Sequence, residues 1–271
     1  MEVKQILEKN NFSFKKKFGQ NFLLDQNILN NIVSLGSITS DDLVIEIGVG
    51  AGALTKKLST KAKYVLGYEI DETLKKPLQE ILTAENINII FDDFLKRNIK
   101  KDLEKYDYSN IIVVANLPYY ITTPIINKFI EEKIDVLRLV VMVQNEVADR
   151  FSATVGTKSY NSLTIFLNYY FDIKKAFVVS RNVFYPKPNV DSAVVVFNKK
   201  QKYITTNEEL FFKIVRDSFK QKRKTLKNNL KQYNVEKINQ ILNKTGKDIS
   251  FRAENITIDE FIDICNNYNN K

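Results

Sequence analysis

The residues best suited to chemistry form a glycine-rich segment directly after a predicted strand. Residues Val44–Gly52 read VIEIGVGAG, so three of the chain's eight glycines fall within five positions. Glycines at a strand-to-helix turn allow unusual backbone angles and let a ligand approach the main chain. Glu69 ends the next predicted strand, 19 residues after Gly50, where an acid can bind a ribose hydroxyl. This pattern is typical of sites for a dinucleotide or for S-adenosylmethionine, and it does not distinguish the two.

A second candidate group, NLPYY at residues 116–120, ends the fourth predicted strand. Ligands in open α/β sheets bind at the carboxyl ends of strands. The motif resembles the (D/N)PPY signature of methyltransferases that act on amines of nucleic-acid bases. An adenine amine is a weak nucleophile, and the side-chain oxygen of Asn116 and the backbone carbonyl of Leu117 can accept its two N–H groups. Tyr119 would stack on the extruded base. The motif therefore favours S-adenosylmethionine over a dinucleotide.

Missing residue types exclude whole classes of enzyme. The chain has no His, which excludes every mechanism that uses an imidazole base and removes the usual zinc ligand, so we expect no metal site. The only cysteine, Cys265, cannot form an intrachain disulfide, which favours a reducing, cytoplasmic location. No apolar run approaches the ~18 residues of a membrane-spanning helix, and no secretory signal is visible. We therefore expect no membrane partner.

Positive charge collects near the C-terminus of the chain. The net charge is +9, and the residues from Lys199 onward include sixteen basic and nine acidic side chains. Within Lys213–Lys231 eight basic residues accompany one acid, and their spacing predicts the basic face of one amphipathic helix. A solvated surface is the alternative, but the near absence of acids favours phosphate-backbone binding. The candidate RNA-contacting residues are Lys220, Arg223, Lys224 and Lys227.

Hydrophobic patterning divides the chain into an α/β part and a helical part. Alternating strand and helix signals predict a doubly wound parallel sheet that is closed by an antiparallel hairpin. The predicted strands are Leu43–Ile47, Tyr64–Glu69, Ile87–Phe91, Ile111–Ala115, Leu137–Val143, Lys174–Val179 and Ser192–Phe197. The predicted helices are Ala53–Ser59, Glu72–Thr83, Thr123–Lys133, Glu208–Gln232, Glu236–Leu242 and Ile258–Asn266. We predict a cofactor-binding domain over residues 1–200 and a basic, RNA-binding helical domain over 201–271.

Six motifs in a fixed order identify a family resemblance that covers residues 12–264. They are KFGQNFL (17–23), EIGVGAGALT (46–55), NLPYY, FYPKPNVDS (184–192), FKQKRKTLKNNL (219–230) and FRAENIT (251–257). Together they resemble the ribosomal small-subunit RNA adenine dimethyltransferases. The resemblance implies a Rossmann-like class I S-adenosylmethionine-dependent methyltransferase sheet with a small C-terminal helical domain. It also implies N6,N6-dimethylation of two adjacent adenosines in the 3′-terminal hairpin of small-subunit ribosomal RNA.

The same resemblance assigns roles to individual residues. It places the cofactor contacts on Asn21, Leu23, Gly48, Glu69, Asp93 and Asn116. Asp92 is an alternative to Asp93, which we prefer because the family places the acid directly before a hydrophobic-Leu pair, here Phe94-Leu95. Phe184 would clamp the target base opposite Tyr119, so the predicted catalytic set is Asn116, Leu117, Tyr119 and Phe184. The implied partner is an immature small ribosomal subunit, bound by a monomeric enzyme.

Some positions depart from the family pattern, and other functions remain as alternatives. Val49 stands where the family usually has Pro, and the basic segment uses Lys where Arg is commoner, which removes bidentate phosphate contacts. A large-subunit methyltransferase of the macrolide-resistance type shares the N-terminal motifs. A non-catalytic RNA-binding assembly factor would not need an intact NLPYY or Glu69. A nicotinamide dehydrogenase leaves NLPYY and the basic segment unexplained.

Overall fold

The computed structural model describes residues 9–10, 12, 14–15, 20–23, 25–117, 121–200, 205 and 207–268. Two compact units emerge from the contacts: one consists of the residues up to Ala148 together with Lys174–Asn198, and the other of Asp149–Ile173 and the residues from Lys199 onward. The units interleave along the chain, so residues 149–173 group with the C-terminal residues, whereas the sequence prediction placed one boundary between residues 200 and 201.

A seven-stranded sheet in the order β4-β3-β2-β5-β6-β9-β7 organises the first unit. The strands in the described part of the chain are β1 (Phe22–Leu23), β2 (Leu43–Ile47), β3 (Tyr64–Glu69), β4 (Ile87–Phe91), β5 (Ile111–Asn116), β6 (Val136–Gln144), β7 (Phe171–Val179), β8 (Phe184–Tyr185) and β9 (Ser192–Lys199). Neighbours from β4 to β6 pair in parallel, and β9 pairs antiparallel with β6. The predicted doubly wound α/β fold is confirmed.

The chain reverses its direction of travel across the sheet between β2 and β5. From β2 it proceeds outward to β3 and β4, and it then returns to form β5 on the other side of β2. Such a reversal leaves a crevice beyond the carboxyl ends of the two central strands. The strand order therefore places the ends of β2 and β5, which carry the glycine turn and Asn116, next to each other.

Both faces of the central strands are covered, which explains their sequences. Every residue of β2 is buried, as are the first five residues of β5, because a parallel strand with helices on both faces needs apolar side chains on both. One apolar cluster joins Leu29 and Ile32 to residues of β2, β5, β6 and β9 such as Val44. This packing holds the strand ends that carry the candidate site.

Some helices lie at predicted positions, whereas others, such as Gln26–Gly36 and Ser162–Tyr170, were not predicted from the sequence. In the described part of the chain they are α1 (Gln26–Gly36), α2 (Ala53–Leu58), α3 (Lys75–Ile81), α4 (Ile99–Leu103), α5 (Thr122–Glu131), α6 (Asn145–Phe151), α7 (Ser162–Tyr170), α8 (Glu208–Ser218), α9 (Leu226–Asn229), α10 (Val235–Asn243) and α11 (Ile258–Tyr268). The predicted helix 72–83 is a 3₁₀ turn, Glu72–Leu74, followed by α3. None of the described helices is both long and apolar enough to cross a membrane.

The second unit is a helical body with its own apolar core. Side chains from α7, α8, α10 and α11, among them Tyr169, Phe211 and Phe261, form one buried cluster. Cys265 is also buried in it, and its thiol donates to the backbone carbonyl of Asn207. The helical character predicted for the C-terminal residues is thus present.

The single helix predicted over 208–232 is wrong, because α8 ends at Ser218 and the chain resumes a helix only at Leu226. The buried amide of Asn229 donates to the carbonyls of Ser218, at 2.6 Å, and Gln221, at 3.2 Å. A continuing helix would use the first of these carbonyls for its own ladder. The hydroxyl of Ser218 also donates back to the Ile214 carbonyl, a contact that bends helices. Residues 219–225 therefore form a connection, of which 220–224 are exposed.

We predict that Gly67→Ala strains the glycine turn through the neighbouring strand. A methyl group at Gly67 in β3 would lie 2.5 Å from Cδ1 of Ile89 and 2.6 Å from Cγ2 of Val49. Overpacking of this kind typically lowers the free energy of unfolding by about 1–3 kcal/mol, measurable by chemical denaturation. The double variant Gly67→Ala/Ile89→Val removes the nearer clash and should recover part of the loss. Unchanged stability of the single variant would contradict the packing described here.

Candidate active site

A cavity of about 440 Å³ lies at the carboxyl ends of the parallel strands in the first unit. All of the residues predicted to bind the cofactor line it, namely Asn21, Leu23, Gly48, Glu69, Asp93 and Asn116. Leu117 and Phe184, predicted from the same motifs to be catalytic, line it too. Tyr119, the fourth member of that set, lies outside the described residues. The sheet topology thus gathers residues that are up to 163 positions apart into one wall.

The glycine turn after β2 forms one side of the cavity. Gly48, Gly50 and Gly52 all have left-handed backbone, with φ of 79°, 56° and 74°. At Gly52 a side chain is excluded twice, by this φ and because a Cβ atom would lie 2.9 Å from Leu78. The turn therefore depends on glycine, and it exposes main chain to the cavity.

Glu69 connects the turn to the end of β3. Its two carboxylate oxygens accept the backbone N–H groups of Gly50 and Asp71, each at 2.8 Å. The side chain is buried, and burial raises its pKa although these hydrogen bonds oppose the rise. Each oxygen has a second lone pair, so Glu69 can still accept a hydroxyl donor from a ligand.

Glu46 is a second buried carboxyl group, and we did not single it out from the sequence. It lies within the otherwise apolar strand β2 and lines the cavity, and its Oε2 atom has no hydrogen-bond partner among the described residues. Burial, with a smaller contribution from the charge of Glu69, raises the pKa of Glu46 to about 8. The available signal was the acid itself, since a fully buried strand rarely carries an ionisable residue without a function.

Asn116 has its amide orientation fixed by a neighbouring carbonyl. Its Nδ2 atom donates to the backbone oxygen of Asn21 at 3.2 Å. Because a carbonyl oxygen can only accept, the amide must present nitrogen to it, which leaves Oδ1 as the acceptor for a ligand. The next residue, Leu117, is buried and is held by a hydrogen bond from its N–H to the Met142 carbonyl, 3.3 Å long.

The two acids after β4 differ in their partners. Asp92 pairs with Arg97, with 3.3 Å between Oδ2 and Nη1, and it also accepts the N–H of Asp93. Asp93 accepts the N–H of Leu95 and so begins the 3₁₀ turn Phe94–Lys96. Both acids line the cavity and both have a basic neighbour, since Oδ2 of Asp93 lies 4.0 Å from Nζ of Lys96. The shorter pair with Arg97 makes Asp92 the less available of the two. This difference supports the preference for Asp93.

Phe184 reaches the cavity through the short pair of strands β1 and β8. Leu23 lies opposite Phe184 in this antiparallel pair, and Phe22 lies opposite Tyr185. Since alternate residues of a strand face opposite sides, Phe184 is buried at the cavity wall whereas Tyr185 is 51% exposed. Ile70, which the sequence did not single out, also lines the cavity and is 47% exposed. The wall thus offers both buried and accessible apolar surface.

The four predicted RNA-contacting residues are all exposed on the second unit. Lys220, Arg223 and Lys224 lie in the connection 219–225, and Lys227 lies in α9. They do not share the face of one continuous helix as the spacing predicted. Three of the four instead lie in the connection between two helices, and the fourth lies at the start of the second helix.

The chemistry of the cavity suits a cationic ligand that bears hydroxyl groups. Glu46 and Glu69 offer buried oxygen acceptors, and the left-handed turn between them exposes backbone. Leu23 and Phe184 provide apolar walls. Among the described residues, no cluster of His, Cys, Asp and Glu side chains is suited to a metal ion.

The ribosomal RNA adenine dimethylase family model matches residues 11–270 of the chain. The chain is 45% identical over 275 residues to ribosomal RNA small subunit methyltransferase A of Bacillus mycoides strain KBAB4, covering 97% of this chain and 94% of that protein. The corresponding protein of Bacillus cereus strain B4264 has the same identity and coverage.

Two solved structures resemble this one over nearly their whole length. A dimethyladenosine transferase from Plasmodium falciparum superposes with a TM-score of 0.75 at 27% identity, covering 90% of this chain and 95% of that one. The 23S rRNA methyltransferase ErmE also has a TM-score of 0.75, at 23% identity, covering 92% of this chain and 99% of its own. The second likeness is one of fold alone.

We predict that Glu46→Gln stabilises the protein at neutral and alkaline pH. An unfolded glutamate ionises near its ordinary value of 4.5, whereas the folded pKa is about 8. Between these two values the folded protein keeps the proton and the unfolded chain loses it. The free energy of unfolding therefore falls as pH rises from about 4.5 to about 8, by up to about 1.4 kcal/mol per pH unit. The advantage of the variant should grow across that window in denaturation measured from pH 5 to pH 8.5.

The matched control for this experiment is Glu72→Gln, which changes an exposed carboxylate on the same unit. Its denaturation curves should follow those of the wild type at every pH. Parallel pH profiles for Glu46→Gln and the wild type would show that Glu46 is ionised in the folded protein.

Proposed function

The chain belongs to the ribosomal RNA adenine dimethylase family and is an rRNA adenine methyltransferase, and we propose that it dimethylates N6 of two adjacent adenosines in the 3′-terminal hairpin of small-subunit rRNA. S-adenosylmethionine is the methyl donor of this class I methyltransferase fold. One observation supports the proposal above others: the Asn116 amide is held by the Asn21 carbonyl so that Oδ1 is the acceptor at the wall of the cavity.

The residues around the cavity fit S-adenosylmethionine. Glu69 has lone pairs for the ribose hydroxyls, and the unpartnered oxygen of Glu46 lies in the same cavity, where a positively charged ligand would offset the cost of ionising that carboxyl. Ile70 offers apolar surface for the adenine ring, and Asp93 an acceptor for its amine. The bound cofactor supplies an electrophilic methyl group.

Asn116 and Leu117 activate the target amine by accepting hydrogen bonds. When the Asn116 amide oxygen and the Leu117 carbonyl accept the two N–H groups, the nitrogen lone pair is drawn out of conjugation with the adenine ring and directed at the methyl donor. Electrostatic groups that are fixed before the reaction need no reorganisation during it. The amide of Asn116 meets this condition because its hydrogen bond to Asn21 already sets its orientation. Methylation leaves the amine nitrogen positively charged, and this protonated product is acidic enough to release its proton to water, so a chain without His can perform the reaction.

Aromatic side chains hold the extruded base. We assign Phe184 to one face of the target adenine and Tyr119 to the other, since stacking between aromatic rings is how proteins bind flipped or single-stranded bases. Phe184 is suited to this role because its partner strand carries Leu23, which lines the same cavity. The ring therefore has a fixed neighbour on the protein side.

The exposed basic residues of the second unit bind the RNA backbone in this proposal. Lys220, Arg223, Lys224 and Lys227 are exposed, so they present their charge to solvent and can bind phosphate. The substrate is an immature small ribosomal subunit, and the enzyme acts as a cytoplasmic monomer. The 45% identity to small-subunit enzymes favours this branch over the large-subunit type, since the identity to the 23S rRNA methyltransferase ErmE is only 23%.

The proposed function is tested by incubating the protein with radiolabelled S-adenosylmethionine and with small and large ribosomal subunits that lack adenosine methylation. N6,N6-dimethyladenosine in the 3′-terminal hairpin of small-subunit RNA is the expected product. Label confined to large-subunit RNA would establish the other enzyme class. Tight RNA binding without any label would establish a non-catalytic assembly factor.

Asn116→Ala is expected to lower the rate of methyl transfer by about 10²–10³-fold, the usual loss when one preorganised polar contact to the transition state is removed. Affinity for the RNA, measured by filter binding, should change less than twofold. Asn110→Ala is the matched control, because Asn110 precedes the other end of β5 and binds Asp42. An Asn116→Ala enzyme that retains full rate would refute the activation mechanism.

Replacing Lys220, Arg223 and Lys227 together by Ala is expected to weaken binding to the subunit and to flatten its salt dependence. Loss of three phosphate contacts should reduce the slope of log K against log salt by about 2. The control removes the same charge elsewhere, through Lys56→Ala, Lys61→Ala and Lys100→Ala, which are exposed residues of the first unit. Equal slopes for the two triple variants would mean that net charge alone matters, not this surface.

A further inference from the structure

The carboxylate of Asp71 accepts hydrogen bonds from its own turn, at Thr73, and from the distant residues Lys15 and Gln20. Its Oδ1 atom accepts Nζ of Lys15 at 2.6 Å and the hydroxyl of Thr73 at 2.6 Å. Its Oδ2 atom accepts Nε2 of Gln20 at 2.7 Å. Although burial acts to raise the pKa of Asp71, these donors hold it below its ordinary value. The carboxylate is only 1% exposed, so the charge is held by these contacts and not by water.

Asp71 also connects directly to the acid that we assign to the ribose. Its backbone N–H donates to Oε1 of Glu69 at 2.8 Å, and the other oxygen of Glu69 accepts Gly50. Asp71 therefore fixes the backbone after β3 through its main chain and holds Lys15 and Gln20 through its side chain. Glu69 lies between this network and the glycine turn.

Gln20 and Asn21 are each fastened to a different strand end at the cavity wall. Gln20 is tied to Asp71 at the end of β3, and its Oε1 also accepts the N–H of Lys15 at 2.8 Å. The next residue, Asn21, accepts the amide of Asn116 at the end of β5. Gln20, Asn21 and Leu23 all line the cavity. The segment thus bridges the two strand ends that flank β2.

We propose that Asp71 is a positioning residue for cofactor binding, which fastens the segment containing Asn21 and Leu23 across the cavity through Lys15 and Gln20. This inference rests on the proposed S-adenosylmethionine site and deepens it. Asp71 itself touches no ligand in this proposal. It fixes one end of a wall whose other end is fixed at Asn116.

A second ion pair of the N-terminal residues shows by contrast why Asp71 matters. Lys9 pairs with Glu80 at 2.9 Å, but these side chains are 62% and 32% exposed. Exposed pairs contribute little because water and salt screen them. In the pair of Lys15 with Asp71 the carboxylate is 1% exposed, and removing one partner leaves a buried charge uncompensated. The two pairs therefore supply a test variant and a matched control within the same segment.

The test is the affinity of the full chain for S-adenosylhomocysteine, measured by calorimetry. Asp71→Asn retains the size of the side chain and an acceptor oxygen but loses the charge, and Lys15→Met removes the cationic partner. Each is expected to raise Kd about tenfold, the scale for a lost charged hydrogen bond, while kcat at saturating cofactor stays within about twofold. Lys9→Met is expected to leave Kd unchanged.

The double variant Lys15→Met/Asp71→Asn should bind about as weakly as either single variant, because both remove the same interaction. Thermal denaturation is recorded for each protein. Lower melting temperatures with an unchanged Kd would overturn the proposal and make the network purely structural, and additive losses of affinity would overturn the coupling. If Asp71→Asn does not fold, Lys15→Met alone decides. A wild-type chain that fails to bind the product would refute the proposed cofactor site instead.

Discussion

The candidate site depends on one hydrogen bond, from the backbone N–H of Gly50 to the buried carboxylate of Glu69. It joins the glycine turn after β2 to the end of β3, and it sets the shape of both. The turn can take this shape because its glycines adopt left-handed backbone. Two backbone N–H groups already hold the Glu69 carboxylate in place, so it need not move to accept a hydroxyl group of a ligand. A cofactor that binds here meets an acceptor and a backbone that are placed in advance.

The parallel sheet extends this local arrangement into the candidate site for methyl transfer. Because β2 lies between β3 and β5, the acid at the end of one neighbour and Asn116 at the end of the other flank the same turn. Residues 20–23 then cross this edge, held by Asp71 on one side and by Asn116 on the other. The hydrogen bond that fastens the segment at Asn116 also orients the amide that we propose as the acceptor of the target amine.

The sequence predicted the central strands well because fully buried parallel strands read as continuous apolar runs. It also indicated the residues that line the cavity, because polar residues follow directly at the ends of these strands. It could not predict the break in the helix after Ser218, which depends on Asn229, a residue eleven positions later that captures the Ser218 carbonyl. The low pKa of Asp71 and the high pKa of Glu46 likewise escape the sequence, since each follows from which side chains surround the group in space. Local pattern predicts elements, whereas long-range contacts decide their ends and their electrostatics.

The most direct test of this account is a crystal structure of the full chain with S-adenosylhomocysteine. We expect the product in the cavity at the carboxyl ends of β2, β3 and β5, with its ribose hydroxyls within hydrogen-bond distance of Glu69. The Asn116 amide should keep its hydrogen bond to the Asn21 carbonyl. A product bound elsewhere, or bound in this cavity without contact to Glu69, would contradict the central claim.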